Sequence, residues 1–272
     1  MHPKHRQELI LAELVKRQFI TYETLSGLLD VSEMTVRRDV QALSRKGLVS
    51  LVLGGVEIPT GSTKEPAYKV KLLMQQQEKQ LIAAKALELV EPNMTIAFTA
   101  GTTTWAIAKR MRNISNLSFV TNSTNIALEL NNNGWSDIIL TGGNFRTPSD
   151  ALVGPFAEYT AKHLHTNVLF MGVHGIDLEF GVSTPNIAEA SIDRILMENT
   201  DKVVLVFDHT KWGIKALAHI SHLSAVHAIV TDDLGGLEEV EQVRKAGIEV
   251  LLASALPTHL ALSASERNDL EN

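Results

Sequence analysis

The N-terminal part of the chain has the apolar periodicity of three short helices. The apolar positions predict a first helix over residues 6–17 and a second over residues 22–29, which Thr21 can cap. A tight turn over residues 30–32 follows, and a third helix is predicted over residues 33–46. Two helices, a short turn and a further helix are the pattern of a helix-turn-helix.

The third predicted helix has one apolar face and one polar face. With 3.6 residues per turn, Val36, Val40 and Leu43 form the apolar stripe. The opposite side presents Met34, Arg38, Gln41 and Arg45, with Arg37 on the flank and Ser32 as the N-cap. Arg can bind guanine and Gln can bind adenine in a DNA major groove. An ordinary solvated helix has the same pattern, so it is the preceding helix-turn pair that favours DNA recognition.

Two short strands are predicted after the third helix. Residues 48–53 and 56–58 flank a Gly54-Gly55 turn, which together predict the wing of a winged helix.

These residues resemble the DeoR family of bacterial sugar-operon repressors. The matching residues are Val31, Ser32, Thr35, Val36, Arg37, Arg38, Asp39, Val40, Leu43, Gly47, Gly54 and Gly55. The resemblance implies that Thr35, Arg37 and Arg38 contact DNA. With the polar face of the helix, the predicted DNA-binding set is Ser32, Thr35, Arg37, Arg38, Gln41 and Arg45. Family members usually carry an Arg and a His shortly before the Gly-Gly pair, where this chain has Leu51 and Leu53.

The remainder of the chain alternates apolar runs with helical stretches, beginning with a helix over residues 75–90. The runs predict strands over residues 95–98, 117–120, 137–140, 168–172, 202–207, 226–230 and 249–252. Continuous apolar strands between helices indicate a mostly parallel sheet covered on both faces. The predicted fold class is therefore α/β, with a winged helix-turn-helix joined to a Rossmann-like effector domain.

Small polar residues follow most of these predicted strands. They occupy residues 99–104, 121–123, 141–143, 172–175, 208–211 and 231–233. The carboxyl ends of parallel strands meet at one edge of a sheet, where ligands bind. Glycines and hydroxyl side chains before helix N-termini suit an anion such as phosphate. Each loop taken alone is more typical of an ordinary turn and cap.

The same segments resemble the effector domain of the DeoR family, which is similar in fold to ribose-5-phosphate isomerase. The resemblance implies a phosphorylated sugar as effector, with residues 101–104 holding the phosphate. The predicted effector-binding residues are Gly101, Thr102, Thr103, Thr104, Thr121, Asn122, Ser123, Gly142, Gly143, Asp177 and Lys211. Lys211 has an equal structural alternative, a salt bridge with Asp208. Family members often have an Asp where this chain has Thr99.

The charge distribution separates the two predicted modules. Residues 1–58 carry eight Lys/Arg and seven Asp/Glu, a net charge of +1, whereas residues 59–272 carry seventeen and twenty-four, a net charge of −7. A charge of +1 is small for a DNA-binding module. We therefore expect a homo-oligomer, dimer or tetramer, that places several modules on one DNA site.

The domain boundaries are predicted from composition. We assign residues 1–58 to the winged helix-turn-helix, 59–74 to a linker, 75–253 to the effector-binding and oligomerisation domain, and 254–272 to a flexible tail. There is no apolar run of the ~20 residues that a membrane span requires, and the first residues lack the apolar core of a signal peptide. We expect a cytoplasmic protein with no membrane partner.

Other classes of function receive less support from the sequence. The chain has no cysteine. The pairs His163/His165 and His219/His222 have metal-like spacing but no completing ligand, so neither a metal nor a cofactor is expected. The main alternative is a sugar-phosphate isomerase-like enzyme, for which Asp177, Glu179, Asp208 and Lys211 are the candidate catalytic residues. An isomerase does not need a helix-turn-helix, and we therefore expect operator DNA and a phosphorylated sugar as the partners of a non-enzymatic regulator. A third class is a sensor that acts on a protein partner.

Overall fold

A computed structural model describes residues 1–59 and 65–254 of the chain. The predicted linker is therefore described except at residues 60–64, and of the predicted tail over 254–272 only residue 254 lies within the described residues.

The N-terminal module is a winged helix-turn-helix, as the sequence predicts. Its elements are α1 Pro3–Arg17, β1 Phe19–Thr21, α2 Tyr22–Leu29, α3 Glu33–Arg45, β2 Ser50–Val52 and β3 Gly55–Glu57. Helix α1 begins earlier than predicted because the His2 side chain accepts a hydrogen bond from the Lys4 amide and Pro3 suits the first helical position. The sequence did not predict β1, which pairs antiparallel with β3 and completes a sheet of order β1-β3-β2.

A buried ion pair fixes α3 against α1. The Arg6 Nε donates to the Asp39 Oδ2 at 2.7 Å, and both side chains are largely shielded from solvent. The Arg6 Nη1 also donates to the carbonyl of Met1 at 2.6 Å. Val36, Val40 and Leu43 pack into the same core, so the apolar stripe and the ion pair together set the orientation of α3.

Residues 65–254 contain twelve strands and seven α-helices. The strands are β4 Thr95–Phe98, β5 Ser118–Thr121, β6 Ile138–Leu140, β7 Asn144–Arg146, β8 Ala151–Val153, β9 Thr166–Gly172, β10 Gly175–Asp177, β11 Gly181–Thr184, β12 Thr200–Val206, β13 Ala218–Ser221, β14 Ala228–Asp232 and β15 Glu249–Ala253. The helices are α4 Tyr68–Lys71, α5 Gln76–Ala86, α6 Thr102–Arg110, α7 Thr124–Asn132, α8 Pro155–Lys162, α9 Ile187–Glu198 and α10 Leu237–Lys245.

All seven strands that the sequence predicts after residue 75 belong to one parallel sheet. Its order is β15-β14-β12-β9-β4-β5-β6, which confirms the predicted α/β class. Alternate residues of the inner strands β4, β5, β9, β12 and β14 enter different cores, as Ala97 and Phe98 of β4 illustrate. Helices therefore cover both faces of the sheet.

Two smaller antiparallel sheets were not predicted. Strands β7 and β8 form a hairpin, and β10, β11 and β13 form a three-stranded sheet of order β10-β11-β13. Strands such as β7 Asn144–Arg146 and β10 Gly175–Asp177 contain glycine or polar residues and a single apolar residue, so no continuous apolar run marks them in the sequence.

The strand order creates a switch point between β4 and β9. The chain proceeds from β4 outward to β5 and β6, and then returns to β9 and continues in the opposite direction to β15. Consecutive connections therefore diverge at the carboxyl ends of β4 and β9, which leaves a crevice where open α/β sheets bind ligands.

Residues 65–74 join the two modules and are packed against both. This segment contains the short helix α4, in which the Val70 side chain is fully buried in the core of the winged helix. Ala67 and Met74 pack against the same core. Within the described parts of the chain, no helix is both long enough and apolar enough to cross a membrane.

The Arg6–Asp39 pair gives a prediction for stability. Asp39→Ala leaves the Arg6 guanidinium buried without its counter-ion, and we expect the free energy of unfolding of the winged helix to fall by about 3–5 kcal/mol. The matched control is Glu33→Ala, which removes an exposed pair with Arg37 and costs at most about 1 kcal/mol. Urea denaturation followed by circular dichroism measures both values, and equal losses in the two variants would contradict the role given to the buried pair.

Candidate functional site

The polar face of α3 is open to solvent. Helix α3 begins at the Ser32 cap, whose hydroxyl accepts a hydrogen bond from the Thr35 amide at 3.3 Å. Arg38, Gln41 and Arg45 are exposed, and their side chains make no hydrogen bond or ion pair with any residue in 1–59 or 65–254. These groups are therefore available to a ligand outside the chain.

Arg37 differs from the other predicted DNA-binding residues because it is held in place. Its guanidinium lies 4.1 Å from the centre of the Tyr22 ring and 3.4 Å from the Glu33 carboxylate. The cation–π contact orients the side chain along the N-terminal turn of α3. Thr35 is half-buried, with its hydroxyl 3.0 Å from that of Ser32.

The wing carries an apolar tip. Leu53 is fully exposed at the turn between β2 and β3, and Leu51 is about half exposed. This tip offers no charged side chain to a phosphate, in agreement with the two leucines that the sequence places there.

A second site is the cleft at the switch point of the large sheet. Residues from the loops after β4, β5, β9 and β12 line it, together with residues of α9 and of the segment between the modules. The lining includes Glu65, Lys71, Lys79, Gly101, Thr102, Thr103, Asn122, Ser149, Glu189, Asp193, Asp208 and Lys211. The cleft thus collects residues from four strand ends and from the connection to the winged helix.

Five of the predicted effector-binding residues line this cleft. They are Gly101, Thr102, Thr103, Asn122 and Lys211. Thr102 and Thr103 open α6, so the backbone amides of its first turn have no partner within the helix. The Asn122 Oδ1 accepts a hydrogen bond from the Ala100 amide at 2.8 Å, which ties the loop after β5 to the loop after β4.

The other predicted effector-binding residues lie outside the cleft lining, as far as the described residues form it. They are Thr104, Thr121, Ser123, Gly142, Gly143 and Asp177. The hydroxyls of Thr104 and Thr121 donate to the carbonyls of Gly101 and Phe98, and Ser123 caps α7. These contacts shape the loops around the cleft.

Gly142 and Gly143 occupy a turn with positive φ angles of 71° and 114°. A Cβ atom on Gly143 would lie 2.6 Å from the Val153 carbonyl oxygen, so this glycine permits the close packing of β8 on the turn. Asp177 caps another turn, where its Oδ1 accepts from the amides of Glu179 and Phe180. The Phe180 amide, with Lys215 nearby, lowers the pKa of Asp177.

Three lysines, Lys71, Lys79 and Lys211, supply positive charge to the cleft. Burial lowers the pKa of Lys79 to about 8, against the opposing effect of the Asp208 carboxylate, and Lys211 contributes to the lowering. The Lys79 ammonium donates to the carbonyls of Lys71 and Met74, each at 2.6 Å. Among the described residues, the Lys211 ammonium forms no salt bridge with Asp208. The structural alternative for Lys211 is therefore not formed.

Two carboxyl groups of α9 face the lysines. The Glu189 carboxylate accepts hydrogen bonds from Arg146 at 2.8 Å, from Thr184 at 3.1 Å and from Ser149. Burial raises the pKa of Asp193 well above its usual value, and the Glu189 charge adds to that rise. This rise favours the protonated form of Asp193, which can donate a hydrogen bond to a ligand hydroxyl.

A third carboxylate reaches the cleft from the segment between the modules. The Glu65 Oε1 accepts from the Lys71 Nζ at 2.7 Å, and its Oε2 accepts from the Arg146 Nη1 at 2.6 Å. Burial alone would raise the pKa of Glu65, but the charges and hydrogen bonds of Lys71 and Arg146 hold it below its usual value. Glu65 is therefore ionised at neutral pH.

Sequence reasoning missed several polar residues at the cleft. They are Glu65, Lys71, Lys79, Arg146, Ser149, Glu189 and Asp193. Arg146 and Glu189 are 43 positions apart, and no local pattern brings them together. Of these residues, Lys79 could have been identified from the sequence, because a lysine on the buried side of a predicted helix requires partners for its charge. Among residues 1–59 and 65–254, no group of three or more His, Asp or Glu is arranged to hold a metal ion.

Two family profiles match this chain. One, described as a DeoR-like helix-turn-helix domain, matches residues 6–61. The other, described as a DeoR C terminal sensor domain, matches residues 74–233, which is more than half of the chain. The two matches coincide with the module that carries α3 and with the domain that contains the cleft.

Relatives of similar length are named as regulators. The chain is 32% identical to a protein named "Putative aga operon transcriptional repressor" from Escherichia coli O157:H7, over 91% of this chain and 93% of the relative. It is also 32% identical to "HTH-type transcriptional regulator GolR" from Listeria innocua, over 93% and 100%. A third relative is "Glycerol-3-phosphate regulon repressor" from Escherichia coli strain K12, 32% identical over 82% and 88%.

Among solved structures, ribose 5-phosphate isomerase from Plasmodium falciparum matches 51% of this chain and 54% of that chain, with 18% identity and a TM-score of 0.37.

The profile matches and the relatives confirm the prediction of a DNA-binding transcriptional regulator and not an enzyme. Both modules of this chain match, in order and over nearly its whole length, and the chain therefore belongs to the DeoR family of transcriptional regulators.

Proposed function

We propose that this regulator represses a carbohydrate-utilisation operon and releases its operator when a phosphorylated sugar enters the cleft. The observation that carries the proposal is the presence, in one chain, of an unpartnered cationic helix face and of a polar cleft at the switch point of a parallel sheet. The relative named as a repressor of the glycerol-3-phosphate regulon supports a phosphorylated effector.

In this proposal α3 is the recognition helix. Arg38, Gln41 and Arg45 read base edges or contact phosphates, while Ser32, Thr35 and Arg37 contact the DNA at the start of the helix. Val36, Val40 and Leu43 are buried on the opposite side, so the helix can enter a major groove without exposing its core.

In this proposal the phosphate of the effector binds at the start of α6. Amides of the first turn, the hydroxyls of Thr102 and Thr103 and the ammonium groups of Lys79 and Lys211 provide donors of the kind that bind phosphate at helix N-termini. The Asp193 carboxyl, whose protonated form is favoured by burial, and the Asn122 amide suit the sugar hydroxyls.

The remaining elements of the proposal concern assembly. We assign residues 1–58 to the winged helix-turn-helix, residues 59–74 to the linker and residues 75–253 to the effector-binding domain. The large domain forms a homo-oligomer that spaces the winged helices to match operator half-sites, and the protein acts in the cytoplasm. An effector that favours the DNA-free arrangement by about 1–3 kcal/mol weakens operator binding about 5- to 150-fold.

Arg38→Ala tests the assignment of the recognition helix. We expect this variant to lose sequence-specific binding to the DNA upstream of its own gene, because a bidentate Arg–guanine contact contributes about 1–3 kcal/mol of discrimination in each module. Fluorescence anisotropy against specific and scrambled duplexes measures the loss. The variant should still bind a sugar phosphate as the wild type does.

Arg244→Ala is the matched control, since Arg244 is an exposed arginine on α10 of the large domain. It should bind the specific duplex as tightly as the wild type. The recognition-helix assignment would be wrong if Arg38→Ala kept its preference for the specific duplex.

Lys79 gives the effector site a pH dependence. Below a pH of about 8 its ammonium is charged and attracts the phosphate; above it the ligand-free lysine is neutral, so binding requires uptake of a proton. We expect the affinity for a sugar phosphate, chosen by a thermal-stabilisation screen, to fall roughly tenfold per pH unit above this pKa. A phosphate ester, with its second pKa near ~6, keeps its charge over this range.

Isothermal titration calorimetry between pH 7.5 and 9.5 makes the measurement. Lys79→Arg stays charged and should give a flat profile over the same range. A flat profile for the wild type, or an equal fall in the Lys79→Arg variant, would show that Lys79 does not control binding.

A further inference from the structure

The segment over residues 65–74 connects the cleft directly to the winged helix. Val70 is fully buried in the winged-helix core, and the next residue, Lys71, lines the cleft. Glu65 and Met74 of the same segment also line the cleft. A displacement of Lys71 is therefore transmitted to Val70 through a single peptide bond.

Glu65 holds the Lys71 ammonium at 2.7 Å and the Arg146 guanidinium at 2.6 Å. Its side chain is only 8% exposed, so these contacts are well shielded from solvent. Arg146 also has Glu189 as a partner at 2.8 Å, whereas among the described residues the only carboxylate paired with Lys71 is that of Glu65.

Charge balance makes this arrangement sensitive to an added anion. Glu65 and Glu189 contribute two negative charges, and Lys71 and Arg146 contribute two positive charges. An anionic ligand that reaches this cluster therefore competes with the two carboxylates for their cations, in addition to any contact it makes with Lys79 and Lys211. Arg146 is bonded to both Glu65 and Glu189, whereas Lys71 is bonded to Glu65 alone among the described carboxylates. Release of Lys71 therefore breaks fewer contacts than release of Arg146.

We propose that Glu65 is an internal competitor of the effector, which holds Lys71 in the ligand-free protein until the effector's phosphate takes Lys71 over. The inference rests on the proposed function, because it requires a phosphorylated ligand in the cleft. Loss of the Glu65–Lys71 contact loosens the segment over residues 65–74 and so changes the support that Val70 gives to the winged helix.

Glu65→Gln tests the competition. Gln keeps the size of the side chain and removes the charge that retains Lys71, so we expect inorganic phosphate to bind about tenfold more tightly, within the usual range for coupled sites. The full-length protein is titrated with inorganic phosphate by calorimetry at constant ionic strength. The matched control is Glu88→Gln, which removes the same charge from an exposed pair with Lys85 and should leave phosphate affinity within about twofold of the wild type.

A second background separates competition from simple repulsion. In Lys71→Met the contested cation is absent, so adding Glu65→Gln should change phosphate affinity less than about twofold by the logic of a double-mutant cycle. If Glu65 acted only by repelling phosphate, the gain would persist in the Lys71→Met background, and that result would overturn the proposal.

If the Glu65→Gln variant fails to fold, the Glu65→Asp variant tests the same competition. Asp keeps the charge on a side chain that is shorter by one methylene, which weakens its hold on Lys71, so phosphate affinity should still rise. An unchanged affinity would contradict competition.

Hydrogen exchange of the α4 amides reports on the segment itself. The amides of Val70, Lys71 and Leu72 are bonded within this segment, and phosphate should accelerate their exchange in the wild type. Slower exchange with phosphate would overturn the proposed release. Phosphate binding that is the same in the wild type, Glu65→Gln and Glu88→Gln contradicts the competition alone, whereas absence of binding by phosphate and by sugar phosphates in all variants contradicts the proposed function and the competition together.

Discussion

The adjacency of Val70 and Lys71 is the constraint on which the coupling of the two modules depends. Val70 is fully buried among residues of the winged-helix core, and Lys71 faces the cleft of the large domain. Packed protein cores have few voids and resist displacement of a buried side chain. Because α4 is only four residues long, it has little length in which a shift of Lys71 can be absorbed before it reaches Val70.

The cleft contains both positively and negatively charged groups. Because some of these groups are fixed by other contacts, the cleft can bind a ligand and keep its shape. Lys79 is anchored by two backbone carbonyls of the connecting segment, and Glu189 is anchored by Arg146, Ser149 and Thr184. These fixed groups keep the shape of the cleft. The contact between Glu65 and Lys71 is simpler, and it is the one that a phosphate can replace at the lowest cost in other hydrogen bonds.

The sequence predicts strand positions well in this protein, since each of the seven long apolar runs forms a strand of the parallel sheet. The polar residues at strand ends were harder to interpret. Thr121 is the last residue of β5 and not the first residue after it, and its hydroxyl donates to the Phe98 carbonyl, a contact that depends on strand order. Glu65 and Arg146 are 81 positions apart, so only the folded chain brings them together. The two faces of α3 could be predicted from the sequence because they depend only on the local helical period.

We propose that DNA and a phosphorylated effector bind at separate sites, and that binding at one site weakens binding at the other through one connecting segment. Reciprocal binding measures this most directly: the dissociation constant of the operator is determined with and without saturating sugar phosphate, and that of the sugar phosphate with and without operator. We expect each ligand to weaken the binding of the other by the same factor, about 5- to 150-fold. A sugar phosphate that binds the free and the DNA-bound protein with equal affinity would contradict it.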